Sequence, residues 1–270
     1  MEQEKLPAKA NPSTWSYSRT SCFGRCKYEF YLNYIVNDDD LYLSEGNYFA
    51  EVGSLVHEIL AMIFENKLKP EEAETYFRNA YKNNVFYQTK EGIMKNTFKK
   101  CADYFRKERF EWLNDYEILG VELEERFSIQ GHDFVGFIDL LLRDRRDGKI
   151  VVLDHKSAPY PMKKNGEVKK NQLSSFNSYK KQMYLYCNAV YQQYGEYPKE
   201  IVWNHFKEDG QLAKIPFVMS EYEETLKWFI ETIELAEKEE DYEPTYEFFY
   251  CSNLCSFRNS CEFKKYSSDR

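Results

Sequence analysis

The chain has 270 residues, with 37 Lys+Arg against 45 Asp+Glu for a formal net charge of −8. That length is enough for one large domain or two small ones with a sizeable core, and a 43% hydrophobic, 17% aromatic composition excludes a disordered chain. The acidic balance excludes a body coated in nucleic acid while leaving room for a local basic groove, and no run of 18 apolar residues marks a membrane span.

Residues 1–14 read as a polar, flexible tail without the apolar centre of a secretion signal, which implies a cytoplasmic, reducing setting for the seven cysteines. Ser18 is expected to cap a helix reaching about Tyr34, with Cys26, Phe30 and Tyr34 on one face, and the run from Asn37 to Asp40 to end it. A second helix is predicted over 48–66, where Val52, Leu55, Val56, Leu60, Ile63 and Phe64 are apolar, and helical patterns continue through 70–83 and 90–115. Strands are predicted at 121–129, 134–143 and 149–156, then a polar loop at 165–170 with an Asn165-Gly166 turn. A helix over 173–194, a strand pair at 201–207 and 212–219 around Asp209-Gly210, and a helix over 221–239 follow, before thirty residues without a clear period. The expected architecture is a single mixed α/β domain over 15–270, with a helical part at 48–118 and an α/β core at 119–219.

The stretch from Gly136 to Lys156 is the most informative. A four-residue loop at 145–148 sets Asp144 against Lys149, and the same register sets Asp139 opposite Asp154. Side chains alternate along a strand, so Lys156 shares a face with Asp154, while Ile138, Leu140, Leu142, Val151, Leu153 and His155 take the other. Opposed carboxylates stand roughly 5 Å apart and repel unless something offsets the charge. A divalent cation does so, and hard oxygen ligands suit Mg²⁺ or Mn²⁺; an Asp–Lys–Asp salt-bridge cluster is the plainer reading.

His57 interrupts an apolar helical face one turn after Gly53, which leaves room for an approaching group; Glu51 and Glu58 flank it as possible carboxylates. Gln182 and Tyr186 are four apart on one helix face, preceded by Lys180 and Lys181. Lys163, Lys164, Lys169 and Lys170 extend a candidate phosphate track. Cys251, Cys255 and Cys261 supply three thiolates, and Cys22 or Cys26 a fourth, for an iron–sulfur cluster or a structural zinc. Cys101 and Cys187 read as ordinary buried thiols.

Together, in this order along nearly the whole chain, these residues resemble the PD-(D/E)XK nuclease superfamily. Within it they are most similar to the RecB-like nucleases with a four-cysteine iron–sulfur staple, which include CRISPR-associated exonucleases and the nuclease domain of the AddB recombination helicase. Cys26 to Tyr34 resembles the first-cysteine helix and Gly53 to His57 the histidine motif. Gly136-Phe137-Ile138-Asp139 resembles the first acidic motif, Asp154-His155-Lys156 the D-x-K, and Gln182-x3-Tyr186 the Q-x3-Y helix. The resemblance implies a restriction-endonuclease-like core: a mixed central sheet flanked by helices, with a C-terminal cysteine segment at 248–264 closing onto the N-terminal helix. It implies a Mg²⁺- or Mn²⁺-dependent deoxyribonuclease, an exonuclease acting on single-stranded DNA or DNA ends in recombination, repair, CRISPR adaptation or phage DNA processing, with protein partners in such complexes.

By the same resemblance His57, Asp139, Asp154 and the backbone carbonyl of His155 hold the metal and Lys156 is the catalytic lysine. Gln182 and Tyr186 join the catalytic group and, with Lys180 and Lys181, meet the DNA. Cys26, Cys251, Cys255 and Cys261 hold a 4Fe–4S cluster. The first C-terminal spacing is x3 where the branch more often has x2, Lys27 stands where proline is common, and Cys22 competes as first ligand. The alternatives are a non-catalytic DNA-binding or scaffold subunit, or a zinc-stapled regulatory protein whose carboxylates form salt bridges.

Overall fold

The computed structural model describes residues 14–36 and 46–263, so the expected tail, apart from Thr14, and the Asn37–Asp40 break lie outside the described residues. The helices are α1 (Tyr17–Arg25), α2 (Lys27–Tyr34), α3 (Tyr48–Phe64), α4 (Ala73–Asn84), α5 (Glu91–Lys107), α6 (Leu173–Tyr194), α7 (Met219–Lys238) and α8 (Phe248–Asn253). The strands are β1 (Tyr116–Ile129), β2 (His132–Asp144), β3 (Ile150–Lys156), β4 (Glu200–His205) and β5 (Gln211–Pro216), forming one mixed sheet in the order β1-β2-β3-β4-β5. This is the helix-flanked α/β sheet of a restriction-endonuclease-like fold, as the sequence led one to expect. No described helix is long and apolar enough to cross a membrane.

The chain divides into two compact units. One gathers the described residues of 48–127 and 136–223. Its core packs Val52, Leu55, Val56, Ile59, Leu60 and Phe64 of α3 with Phe77, Phe105, Leu140, Leu142, Val151 and Leu153. β2 and β3 are buried on both faces here, Leu141 and Val152 as fully as their neighbours, and a one-residue slip would exchange the side chains of the two faces. The register is as predicted: Leu140 pairs with Leu153, Leu141 with Val152, Leu142 with Val151 and Arg143 with Ile150. The observed pairing stops there, one residue short of Asp139 and Asp154. The turn closes with the Asp144 N–H donating to the Lys149 carbonyl at 2.9 Å. Buried Asp144 is held there by Arg146 and Lys199 at 2.6 and 2.7 Å. α6 carries the chain across to β4, which runs parallel to β3, and β5 returns antiparallel through the expected Asp209-Gly210 turn. The pattern predicted as helix over 90–115 ends earlier as α5, and a short 3₁₀ turn over Glu111–Asp115 leads into β1, which starts at Tyr116 rather than 121.

The other unit gathers the described residues of 1–47, 128–135 and 224–270. Its core is aromatic, with Trp15 stacked on Phe30 at 6.1 Å, Phe23 edge-on to Phe30 at 5.3 Å and Phe134 edge-on to Phe229 at 5.9 Å. The cap of α1 is Ser16, not Ser18: its side chain accepts the Arg19 N–H at 3.2 Å. The helix predicted to run through to Tyr34 is broken at Cys26, whose backbone is extended (φ −152°, ψ 110°). The Cys26 sulfur accepts the Glu29 N–H at 3.4 Å, so a cysteine fills the N-cap position of α2 and periodicity alone hides the break. The aperiodic C-terminus holds α8, capped by Glu247, and closes onto α2: Tyr250 Oη donates to Glu29 at 2.8 Å and Tyr28 Oη to Glu262 at 2.6 Å.

Candidate functional site

Asp139 and Asp154 lie where β2 and β3 stop pairing, 8% and 3% exposed. Buried carboxylates repel and lose hydration, so each needs a partner. Asp139 Oδ2 accepts the His155 N–H at 2.6 Å. Burial first, then the charge of Asp154, pushes the Asp139 carboxyl upward against the opposing pull of His57, the His155 N–H and Lys156. Asp154 pairs with Lys156, whose Nζ is 3.0 Å from Oδ1 and 2.8 Å from Oδ2, so the predicted shared face is observed. Asp154 Oδ2 is buried and takes no directed hydrogen bond beyond that ion pair.

Lys156 Nζ also donates to Gln182 Oε1 at 3.0 Å, and Gln182 Nε2 donates to Tyr186 Oη at 2.9 Å. The four-residue spacing on α6 thus builds a chain from Tyr186 through Gln182 to the ammonium. Burial favours neutral lysine, but Asp154 outweighs it and holds the Lys156 ammonium above its ordinary range. Gly136 makes the chain possible. A Cβ there would stand 2.7 Å from Tyr186 Cε1, so any larger residue would displace the ring.

His57 reaches the same place from α3. Its Nδ1 lies 3.4 Å from Asp139 Oδ2 and 3.7 Å from Glu122 Oε1, and its Nε2 lies 3.1 Å from the His155 carbonyl oxygen. Burial lowers its pKa, but the Glu122 hydrogen bond and the charges of Asp139 and Asp154 raise it to about 9. Without a metal the imidazole is therefore cationic at neutral pH. The space beside Gly53 is open, as expected.

Glu122 is the residue that sequence reasoning missed. Among the described residues, His57, Glu122 and Asp139 form a trio whose donor atoms all lie within 4.8 Å of one another. Glu122 sits in β1 with φ at +47°, a left-handed backbone that costs a non-glycine residue about 1–3 kcal/mol. Gly120 just before it leaves the space that Leu123 fills, so the strand can bend there. Glu122 lies in the run Glu122-Leu123-Glu124-Glu125, and nothing in the sequence separates it from its neighbours. Glu51 is committed elsewhere, its Oε2 accepting the N–H groups of Phe86 and Tyr87 at 2.8 Å each, and Glu58 is exposed.

The His155 side chain turns away from the carboxylates, as the alternation predicts. It stacks on Phe64 at 5.6 Å, Asn204 Nδ2 lies 3.0 Å from its Nδ1, and burial keeps it neutral. The lysines do not form a bare track. Lys180 is paired with Glu221 at 2.6 Å, Lys163 with Glu167 at 2.7 Å, and Lys169 donates to the Tyr160 carbonyl. Lys181 is half-buried, which lowers its pKa, while Lys164 and Lys170 are exposed. The donor set of carboxylate oxygens, one imidazole and a backbone carbonyl, with an undersatisfied buried oxygen on Asp154, fits a hard divalent cation.

In the other unit Cys26, Cys251, Cys255 and Cys261 all line one cavity of about 450 Å³, walled by Tyr28, Leu32 and Phe257. Cys22, the competing first ligand, does not line it and is 3% exposed. Burial pushes its thiol up to about 12. Cys26 Sγ also accepts the Thr245 N–H at 3.4 Å, so residues 219 apart in sequence meet at this sulfur. Cys101 and Cys187 are fully buried in α5 and α6, as expected of structural thiols.

A crystal structure from Eubacterium rectale, provisionally described as an exonuclease, shares this fold with a TM-score of 0.53. The two are 20% identical over 97% of this chain and 90% of that one. No curated protein matches the chain. The family model of the PD-(D/E)XK nuclease superfamily matches residues 14–262, and the chain belongs to that superfamily.

Proposed function

We propose that this protein is a Mg²⁺- or Mn²⁺-dependent deoxyribonuclease, an exonuclease acting on single-stranded DNA or DNA ends, stapled by a structural 4Fe–4S cluster. The observation that carries the reading is the convergence of His57, Glu122 and Asp139, next to a buried Asp154 whose lysine partner is also held by Gln182. Salt bridges alone leave this arrangement with excess negative charge, because the three carboxylates of Asp139, Asp154 and Glu122 face one lysine and one histidine, and Glu122 is held there on a left-handed backbone.

His57, Asp139, Asp154 and the His155 carbonyl would hold the ion, with Glu122 alongside. When bound, a divalent ion lowers the pKa of an attacking water and neutralises charge on the scissile phosphate. Asp154 fixes the Lys156 ammonium on one side and Gln182 on the other, so the ammonium is preorganised to stabilise charge developing on a phosphate oxygen or to orient the water. Tyr186 orients Gln182, and through it the lysine. This makes Gln182 and Tyr186 positioning residues for Lys156 before any contact with DNA. Their burial also limits the water reaching the ammonium.

Support for the cluster is the convergence of four cysteines on one apolar-walled cavity. The scaffold alternative leaves the Asp154–Lys156–Gln182–Tyr186 chain without a purpose. Recombination, repair, CRISPR adaptation and phage DNA processing are the settings in which the resemblance places such an enzyme, with DNA and the proteins of those complexes as partners.

The test is a Mg²⁺ and Mn²⁺ titration of cleavage on end-labelled single- and double-stranded DNA, linear and circular, with wild type beside Lys156→Ala and Asp154→Ala. Metal-dependent cleavage lost in both variants is expected, and circular substrates should resist. Equal cleavage by wild type and Lys156→Ala overturns the assignment. Iron, sulfide and the brown colour of anaerobically purified protein test the cluster; a colourless, zinc-loaded protein refutes it.

A further inference from the structure

Two exposed aromatic positions lie on or against elements that carry candidate metal residues. Phe137 is 52% exposed, yet every residue from Ile138 to Leu142 on the same strand is buried. It stands two residues before Asp139, about 7 Å along the strand. The second position is the loop after α4, where Phe86 and Tyr87 are 74% and 41% exposed. Their backbone is not loose. Both N–H groups are gripped by the Glu51 carboxylate on α3, the helix that also carries His57. A carboxylate of the helix that carries His57 thus holds an apolar pair in water, where a solvated polar loop would have been the default.

Resting on the nuclease reading, we propose that Phe137, with the Phe86–Tyr87 pair beyond it, stacks unpaired nucleobases next to the scissile phosphate and makes this site select single-stranded DNA. Phe137, about 7 Å along the strand from Asp139, is about one nucleotide of extended strand away. Rings held in place there offer flat apolar faces that any base can cover. A paired base has both faces occupied within its stack, so a duplex cannot use these rings without unpairing. Lys163 and Lys180 of the candidate track are engaged in ion pairs within the chain, which leaves stacking a greater share of the affinity than a continuous cationic track would.

The experiment pairs a protein change with a substrate change. Single-stranded oligonucleotides carry one tetrahydrofuran abasic residue, walked through the four nucleotides around the cut, and kcat/KM is measured for wild type, Phe137→Ala and Phe137→Trp. Wild type should lose roughly 5- to 100-fold at one abasic position, the size of one lost stack. Phe137→Ala should show that loss on normal DNA and no further loss at the same position, while Phe137→Trp keeps near wild-type rates. Phe137 is half exposed, so the alanine variant should melt within a few degrees of wild type. Cleavage by Phe137→Ala within twofold of wild type, or an abasic penalty identical in both proteins, overturns the proposal. A second arm separates it from the nuclease reading. In the Lys156→Ala background, quenching of 2-aminopurine in the oligonucleotide should fall when Phe137 or the Phe86–Tyr87 pair is replaced by alanine. Absent cleavage by wild type with intact quenching defeats the nuclease reading alone; unchanged quenching defeats the stacking proposal alone.

Discussion

Replacing Gly136 by alanine should disable the site from a position that touches no substrate. The new methyl would sit 2.7 Å from Tyr186 Cε1 and 3.0 Å from Cδ1, whereas ordinary contact begins near 3.4 Å. The ring must therefore retreat by about 0.7 Å or more. Tyr186 is 5% exposed and cannot simply swing into water, so the overpacking costs about 1–3 kcal/mol. The hydroxyl moves with the ring, and its 2.9 Å bond to Gln182 lengthens beyond hydrogen-bond range. Gln182 then no longer fixes the far side of the Lys156 ammonium. Misplacement of a catalytic group by about 1 Å is worth about 100-fold, so kcat should fall roughly 10- to 100-fold with little change in KM. The assay is metal-dependent cleavage of an end-labelled oligonucleotide, run beside a thermal melt. Gly136→Ala combined with Tyr186→Leu should regain stability but not rate, because the clash is relieved while the hydroxyl is gone. A Gly136→Ala protein that melts and cleaves like wild type would refute the reasoning.

Gln182→Ala should lower kcat by about tenfold and shift the alkaline limb of the rate profile, since Lys156 loses a neutral acceptor but keeps Asp154. In the ion-free protein the folded pKa of His57 is raised to about 9, so its contribution to stability is complete below its ordinary value of 6.5 and is lost as pH rises through 9. Asp139, also raised, likewise favours the acid side of neutrality. Metal binding must expel the His57 proton, so Mn²⁺ affinity should rise about tenfold per pH unit between 7 and 9, measured by calorimetry, and flatten in His57→Gln. Glu122→Gln should weaken Mn²⁺ binding and bring the His57 pKa down, read by NMR titration; an unchanged pKa would show that Glu122 does not act on the ring. Cys26→Ser should lose its iron and several degrees of melting temperature, whereas Cys22→Ser should keep both.

The parts of the molecule legible in sequence were those set by period and by local turns. The β2–β3 register followed from the Arg145–Gly148 loop and the apolar alternation, and it fixed which side of the sheet Lys156 would take. α6 was read at its full extent because its apolar spacing holds over 22 residues. Where a polar side chain overrides the period, reading failed. The break at Cys26 depends on a sulfur accepting a backbone N–H, and the cap at Ser16 on a hydroxyl two residues from an equally plausible serine. Glu122 was invisible for a different reason: its role comes from a left-handed backbone in an edge strand, and four acidic or polar residues nearby look the same. Clustering of lysines in sequence likewise says nothing about the Glu221 and Glu167 carboxylates that engage Lys180 and Lys163.

The most direct measurement is anomalous diffraction at the manganese edge from crystals of the protein grown with Mn²⁺. The account predicts density for the ion in coordination contact with His57, Asp139 and Asp154, and the Lys156 ammonium beside it. Manganese absent from these residues under conditions where the protein cleaves DNA, or bound with Asp154 still turned only to Lys156, would contradict it.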